Sequence, residues 1–115
     1  MLTSSISYDL DITQGSTFYL EARVKDVSGN PLVISGYNVR GAIRGLFGST
    51  GVVTDLSCSV LSQPSGLVSV SLSPSQTSVL PVIQGAYNVE IYNSDESDVL
   101  KILYGYANIS PGVAQ

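Results

Sequence analysis

The side chains that carry out most acid–base and nucleophilic chemistry in proteins are scarce in this sequence. It contains no histidine, the commonest general base and the commonest metal ligand. Triads of the Ser-His-Asp and Cys-His types are therefore impossible within these 115 residues. The single cysteine, Cys58, lies between Leu56 and Val60 on the apolar face of a predicted strand, which favours a buried side chain over a reactive thiol. We predict no catalytic residue and no enzymatic activity.

Two groups of carboxylates have spacings that some catalytic or metal sites use. Asp9 and Asp11 are two residues apart, so on a strand they project from one face, as paired acids do in glycosidases. Asp95, Glu96 and Asp98 crowd one polar segment, where oxygen ligands at alternating spacing can hold calcium. That segment lacks the glycine and the distal glutamate of an EF-hand loop, and its residue types are ordinary in a hairpin turn. We interpret both groups as solvated surface, assign no metal and no cofactor, and leave calcium binding at the turn open.

Four apolar or aromatic residues are candidates for contact with a partner. Leu46 and Phe47 lie in the glycine-rich loop 45–51, whose glycine order matches neither a phosphate-binding loop nor a dinucleotide site. Such residues either fold back onto the core or contact a partner, and the sequence leaves both readings open. Tyr19 and Tyr92 fall on the outward faces of predicted strands, where tyrosine is frequent at interfaces but is also an ordinary strand former.

The charge composition excludes several classes of partner. Five Lys and Arg residues against nine Asp and Glu give a net charge of −4, and the basic residues are spread along the chain. Nucleic acids and anionic membranes require clustered basic residues, so neither is an expected partner. The sequence has no apolar run long enough to span a bilayer. One cysteine forms no internal disulfide, which fits synthesis in a reducing cytosol.

Alternation of apolar and polar residues predicts strands over most of the chain. The predicted strands cover residues 6–12, 17–25, 37–44, 52–61, 67–72, 85–92 and 99–109, with a short apolar piece at 32–34. Ser73 as N-cap, Pro74 at the first helical position and Gln76 at the third predict a short helix near residues 74–80. About seven short strands separated by turn residues predict an all-β sandwich that occupies residues 1–115 as a single domain with short irregular ends. Periodicity alone leaves a barrel of similar strand number open.

Five stretches of the sequence carry a resemblance to a known family. They are residues 8–18 (YDLDITQGSTF), 24–32 (VKDVSGNPL), 34–44 (ISGYNVRGAIR), 72–77 (LSPSQT) and 85–92 (GAYNVEIY), followed by a final strand that ends in Ile109-Ser110-Pro111. Their order resembles the small immunoglobulin-like domains of virion proteins of tailed bacteriophages, which include the N-terminal domain of baseplate upper proteins. The resemblance covers nearly the whole chain. It implies an immunoglobulin-like β-sandwich, a role in particle assembly and no active site.

From this resemblance we expect a virion structural protein that acts as a non-enzymatic adaptor in the tail, baseplate or neck. Its partners would be other virion proteins, contacted by multiple copies in a symmetric assembly, and its location would be the virion after synthesis in the host cytoplasm. A capsid decoration or cement protein is the first alternative and differs in copy number per particle. A host-glycan-binding module with Tyr19 and Tyr92 as its aromatic platform is the second. An enzyme that works through Asp9 and Asp11 alone is the third.

Overall fold

The computed structural model describes residues 5–46 and 52–112, and these residues are mostly strand. The elements, in chain order, are β1 (Ile6–Ser7), β2 (Leu10–Thr13), β3 (Phe18–Arg23), β4 (Tyr37–Arg44), β5 (Val52–Ser62), β6 (Leu67–Leu72), α1 (Pro74–Ser78), β7 (Gln84–Asn93) and β8 (Val99–Ser110). The all-β fold class is confirmed, with eight strands because the predicted first strand is interrupted. In the described residues no helix is long and apolar enough to cross a membrane.

The strands form one curled sheet that folds over into two layers. Their order is β1-β8-β7-β4-β5-β6-β3, and β2 also pairs with β8. We call β1, β2, β8, β7, β4 and the first half of β5 the first layer, and the second half of β5, β6 and β3 the second layer. β5 belongs to both because its first half pairs with β4 and its second half pairs with β6. The orders β4-β7-β8 and β3-β6-β5 correspond to the C-F-G and B-E-D strands of an immunoglobulin-like sandwich.

The core lies between the two layers. Seventeen apolar residues are buried and pack as one cluster: Leu10, Ile12, Val24, Ile34, Ile43, Leu56, Val68, Val70, Leu72, Leu80, Tyr87, Val89, Ile91, Ile102, Leu103, Ala107 and Ile109. Both layers contribute, and the alternation read from the sequence gives the inward face of β3, β4, β5, β6 and β7 correctly. In β8 the alternation is broken at a register shift, where the adjacent Ile102 and Leu103 are both buried. The short apolar piece 32–34 does not form a strand, although Ile34 within it is fully buried.

The predicted first strand, 6–12, is broken at Tyr8 and Asp9. There the chain crosses Gly105 of β8, and the Asp9 carboxylate accepts the Tyr106 N–H at 3.0 Å in place of a backbone carbonyl. Beyond the break Leu10 is buried as expected. Before it Ile6 and Tyr8, which the alternation of residues 6–12 puts on the same face as Leu10 and Ile12, are 44% and 52% exposed, so the prediction of one continuous half-buried strand was wrong there.

The helix prediction is confirmed at its start and too long at its end. Gln76 N–H donates to Ser73 Oγ at 3.2 Å, and Ser73 N–H donates to Gln76 Oε1 at 2.8 Å, which completes the capping box. Thr77 is buried and its hydroxyl donates to the Ser16 carbonyl at 2.8 Å, so α1 is fixed to the turn between β2 and β3. The helix ends at Ser78 because the chain turns inward to bury Leu80.

Candidate functional site

Tyr19 and Tyr92 lie on different layers of the sandwich. Tyr19 on β3 is 56% exposed, and its hydroxyl donates to Glu21 Oε2 at 2.7 Å. Tyr92 on β7 is only half-buried, but its ring lies beneath the Arg40 guanidinium, 4.3 Å from the ring centroid. Each tyrosine faces outward from its own layer, so the two rings do not form one platform for a sugar.

The other two candidates lie at the end of β4. Leu46 is half-buried two residues beyond that strand. Phe47 lies outside the described residues.

An ion-pair cluster surrounds Tyr92 on the outer face of the first layer. Arg40 Nε lies 2.6 Å from Glu90 Oε1, and Arg40 Nη1 lies 3.1 Å from Glu96 Oε1. The hydrogen bond that Arg40 Nε donates to the Glu90 carboxylate is the main cause of the raised Arg40 pKa. Arg40 and Glu90 are directly opposed in the β4–β7 ladder. Because they are 50 residues apart in the sequence, the sequence alone does not predict this ion pair. The Arg40 guanidinium of this cluster covers one face of the Tyr92 ring.

The three acids of the polar segment point to separate partners. Asp95 accepts hydrogen bonds from the hydroxyl and the backbone N–H of Ser97, and these bonds lower the Asp95 pKa. Glu96 pairs with Arg40, and Asp98 Oδ2 accepts the Tyr37 hydroxyl. Within residues 5–46 and 52–112 no group of three His, Cys, Asp or Glu side chains is arranged to hold a metal ion. The segment forms the hairpin turn between β7 and β8.

Asp9 and Asp11 do not act as a pair in this geometry. Asp9 lies between β1 and β2, where its Oδ1 is bonded to the Tyr106 N–H, while Asp11 is exposed on β2 itself. The Asp9 carboxylate therefore holds the first strands against β8.

A groove runs along one side of the sandwich between the edge strands β1 and β3. Its volume is about 330 Å³. Its apolar walls are formed by Ile6, Tyr8, Leu20, Ala22 and Leu103, and its margin by Glu21, Arg23 and Lys25. The groove was not predicted from the sequence, because Ile6 and Tyr8 share the alternation of the buried Leu10 and Ile12.

Two further tyrosines are exposed on the outer face of the first layer. Tyr104 and Tyr106 on β8 are 41% and 48% exposed, and the Lys101 ammonium lies 5.7 Å from the Tyr104 ring centroid. The alternating run Tyr104-Gly105-Tyr106 was the signal available in the sequence, since residues two apart on a strand share a face. These rings add aromatic surface but lie on the outer face, away from the groove.

Cys58 is half-buried and its thiol donates weakly to the Leu56 carbonyl, with Sγ 3.6 Å from the oxygen. Burial raises the pKa of the thiol from 9.0 to about 11. This placement agrees with a packing role on the inner face of β5.

We expect iodoacetamide to alkylate Cys58 at pH 8 about a hundredfold more slowly in the native chain than in the chain unfolded by urea, because two pKa units separate the thiolate populations. A raised folded-state pKa also means that the thiol's contribution to stability is complete below pH 9.0 and is lost as the pH rises towards about 11. Mass spectrometry of timed samples measures the rate, with Cys58→Ser as the unlabelled control. Equal labelling rates in the native and unfolded chains would contradict the burial of the thiol.

No protein-family model and no curated protein matches the sequence.

Proposed function

We propose that this chain is a structural protein of a bacteriophage virion that acts as a non-enzymatic adaptor in the tail, baseplate or neck. The assignment to a virion is supported by the sequence resemblance. The adaptor role is supported by one structural observation: a groove with apolar walls beside an edge of β3 that no strand of residues 5–46 and 52–112 pairs with. Exposed apolar surface beside free backbone groups is suited to binding another protein chain.

The motifs behind the resemblance form framework positions in this fold. In the stretch 24–32, Asp26 Oδ1 accepts the N–H groups of Ser28 and Asn30 at 2.9 and 3.0 Å, and Gly29 takes a φ of 88°, which closes the turn. In the stretch 85–92, the Tyr87 hydroxyl donates to the Tyr8 carbonyl and ties β7 to the start of the chain. These contacts hold the turn after β3 and the start of the chain in place.

Large apolar and aromatic side chains remain exposed on several sides of the domain. They are Ile6, Tyr8, Tyr19, Val27, Val33, Val52, Leu61, Val79, Val82, Ile83, Val99, Tyr104 and Tyr106. Single exposed apolar residues are ordinary, but Ile6 and Tyr8 adjoin one another at the groove. In a symmetric particle, weak contacts of this kind are strengthened when many copies bind together.

Quantitative mass spectrometry of virions, beside separated heads and tails, tests the proposal. We expect the protein in the tail fraction, with a copy number that follows tail symmetry. Enrichment in heads at a copy number near that of the capsid subunits would identify a decoration protein instead. Absence from both fractions would contradict a virion role.

A further inference from the structure

The second layer ends at β3, which has one paired edge in the described part of the chain. β3 pairs with β6 along its whole length, from Phe18 opposite Leu72 to Arg23 opposite Leu67. Among the described residues no strand pairs with its other edge. An edge of this kind presents backbone donors and acceptors to any extended chain that approaches it.

The ladder identifies which backbone groups face that free edge. The Val24 N–H donates to the Gly66 carbonyl at 2.7 Å, in line with the β3–β6 register. In an antiparallel pair, hydrogen-bonded and non-hydrogen-bonded positions alternate, so the N–H and C=O groups that point away from β6 belong to Tyr19, Glu21 and Arg23. These three residues offer the hydrogen-bonding pattern that an added strand needs.

The groove lies directly inside this edge. Leu20 and Ala22 point inward from β3 and form one wall, while Ile6, Tyr8 and Leu103 form the other. A strand added to β3 would direct every second side chain between the layers, into this groove. The groove therefore selects a segment with apolar residues at alternate positions.

The charges at one end of the edge complement an acidic residue. Arg23 and Lys25 are exposed and line the margin of the groove. In the described part of the chain neither belongs to an ion pair, since the pairs found there involve Arg40. Two of the five basic residues of an acidic protein thus lie together at the end of the free edge.

We propose that the β3 edge binds an extended segment of a partner protein by strand addition. The segment pairs its backbone with Tyr19, Glu21 and Arg23, places alternate apolar side chains in the groove, and places a carboxylate beside Arg23 and Lys25. This deepens the proposed function, on which it rests for the partner's origin in the virion.

The probes are two short peptides of alternating valine and threonine, with blocked termini. One carries aspartates at its N-terminal end and the other at its C-terminal end, because the direction of the added strand is not fixed in advance. Titrated into the ¹⁵N-labelled full chain, the better-binding peptide is expected to shift the amide resonances of Tyr19, Glu21 and Arg23 most. Glu21→Pro removes an outward N–H without breaking a β3–β6 bond, and is expected to weaken binding about tenfold or more. Glu21→Gln keeps that N–H and is the matched control, expected to bind as the parent does.

A second measurement covers the case in which the proline variant does not fold. The same peptide, N-methylated at alternate amides so that its edge towards β3 has no donors, is expected to lose binding to the unaltered chain. The proposal is overturned if Glu21→Pro or the methylated peptide binds as tightly as its parent. It is also overturned if the largest shifts lie around Tyr104, or if sedimentation shows a dimer of the chain that Glu21→Pro dissociates.

These outcomes are separable from those of the proposed function. A chain found in tails that binds no peptide retains the adaptor role and loses the strand-addition site. A chain that binds the peptide at β3 but is absent from virions retains the site and loses the virion role.

Discussion

Replacing Gly105 with alanine is expected to lower the free energy of unfolding by about 3 kcal/mol, because backbone strain and a steric clash add. Gly105 has a φ of 152°, which residues with a side chain rarely adopt. A Cβ there would lie 2.6 Å from the Tyr8 carbonyl oxygen and 2.8 Å from Asp9 Oδ1. Neither atom is free to move, since Tyr87 donates to the first and Tyr106 to the second. The added methyl group must therefore displace the first strands from β8.

The matched control is Gly29→Ala. Gly29 has a φ of 88°, but an added Cβ would meet nothing within 4 Å, so the change costs backbone strain alone, about 1 kcal/mol. Urea unfolding of both variants, fitted with a common slope, gives the two losses. A Gly105→Ala loss no larger than that of Gly29→Ala would contradict the close crossing of Tyr8 over β8.

We expect Ile91→Ala to cost about 4 kcal/mol, through lost burial and the cavity that the truncated side chain leaves. Ile91 is fully buried on β7, and its strand lies between β4 and β8. In the two ladders it is opposed by Val39 and Leu100. Because ladders on both sides restrain β7, the surrounding backbone has little freedom to collapse into the cavity.

Val79→Ala provides the comparison for that core substitution. Val79 is 80% exposed at the end of α1, and its truncation is expected to change stability by less than about 0.5 kcal/mol. The same urea unfolding assay applies, read at the midpoint and checked by loss of far-UV signal. Similar losses for the two variants would show that β7 does not lie at the centre of the core.

Local patterns predicted much of this fold because strand geometry is itself local. Side chains two apart share a face, so alternation alone placed Tyr19 outward and Ile43 inward. The capping box at Ser73 was likewise readable, since N-cap and third helical residue contact each other directly. Alternation does not show whether a second layer covers a given strand face. Ile6 and Tyr8 have the period of buried residues, but the layer that would cover them ends at β3.

The candidate site was less predictable because it depends on which strands become neighbours. The Arg40–Glu90 pair exists only once β4 lies beside β7, and nothing near either residue in the sequence indicates that pairing. Tyr19 and Tyr92 were grouped by residue type and outward direction, whereas the layer to which each belongs is a property of topology. β5 shows the same limit, because its alternation from Asp55 to Val60 gives no sign of its passage from one layer to the other.

The parallel pairing of β2 with β8 has a consequence for synthesis on the ribosome. Leu10 and Ile12 are paired with Ala107 and Ile109, so their burial requires the end of the described chain. While the intervening strands emerge, this segment has no ladder partner, and closing so long a loop slows folding. The nascent chain therefore carries an exposed apolar strand until β8 has left the exit tunnel, so the domain completes only after its last strand has been synthesised.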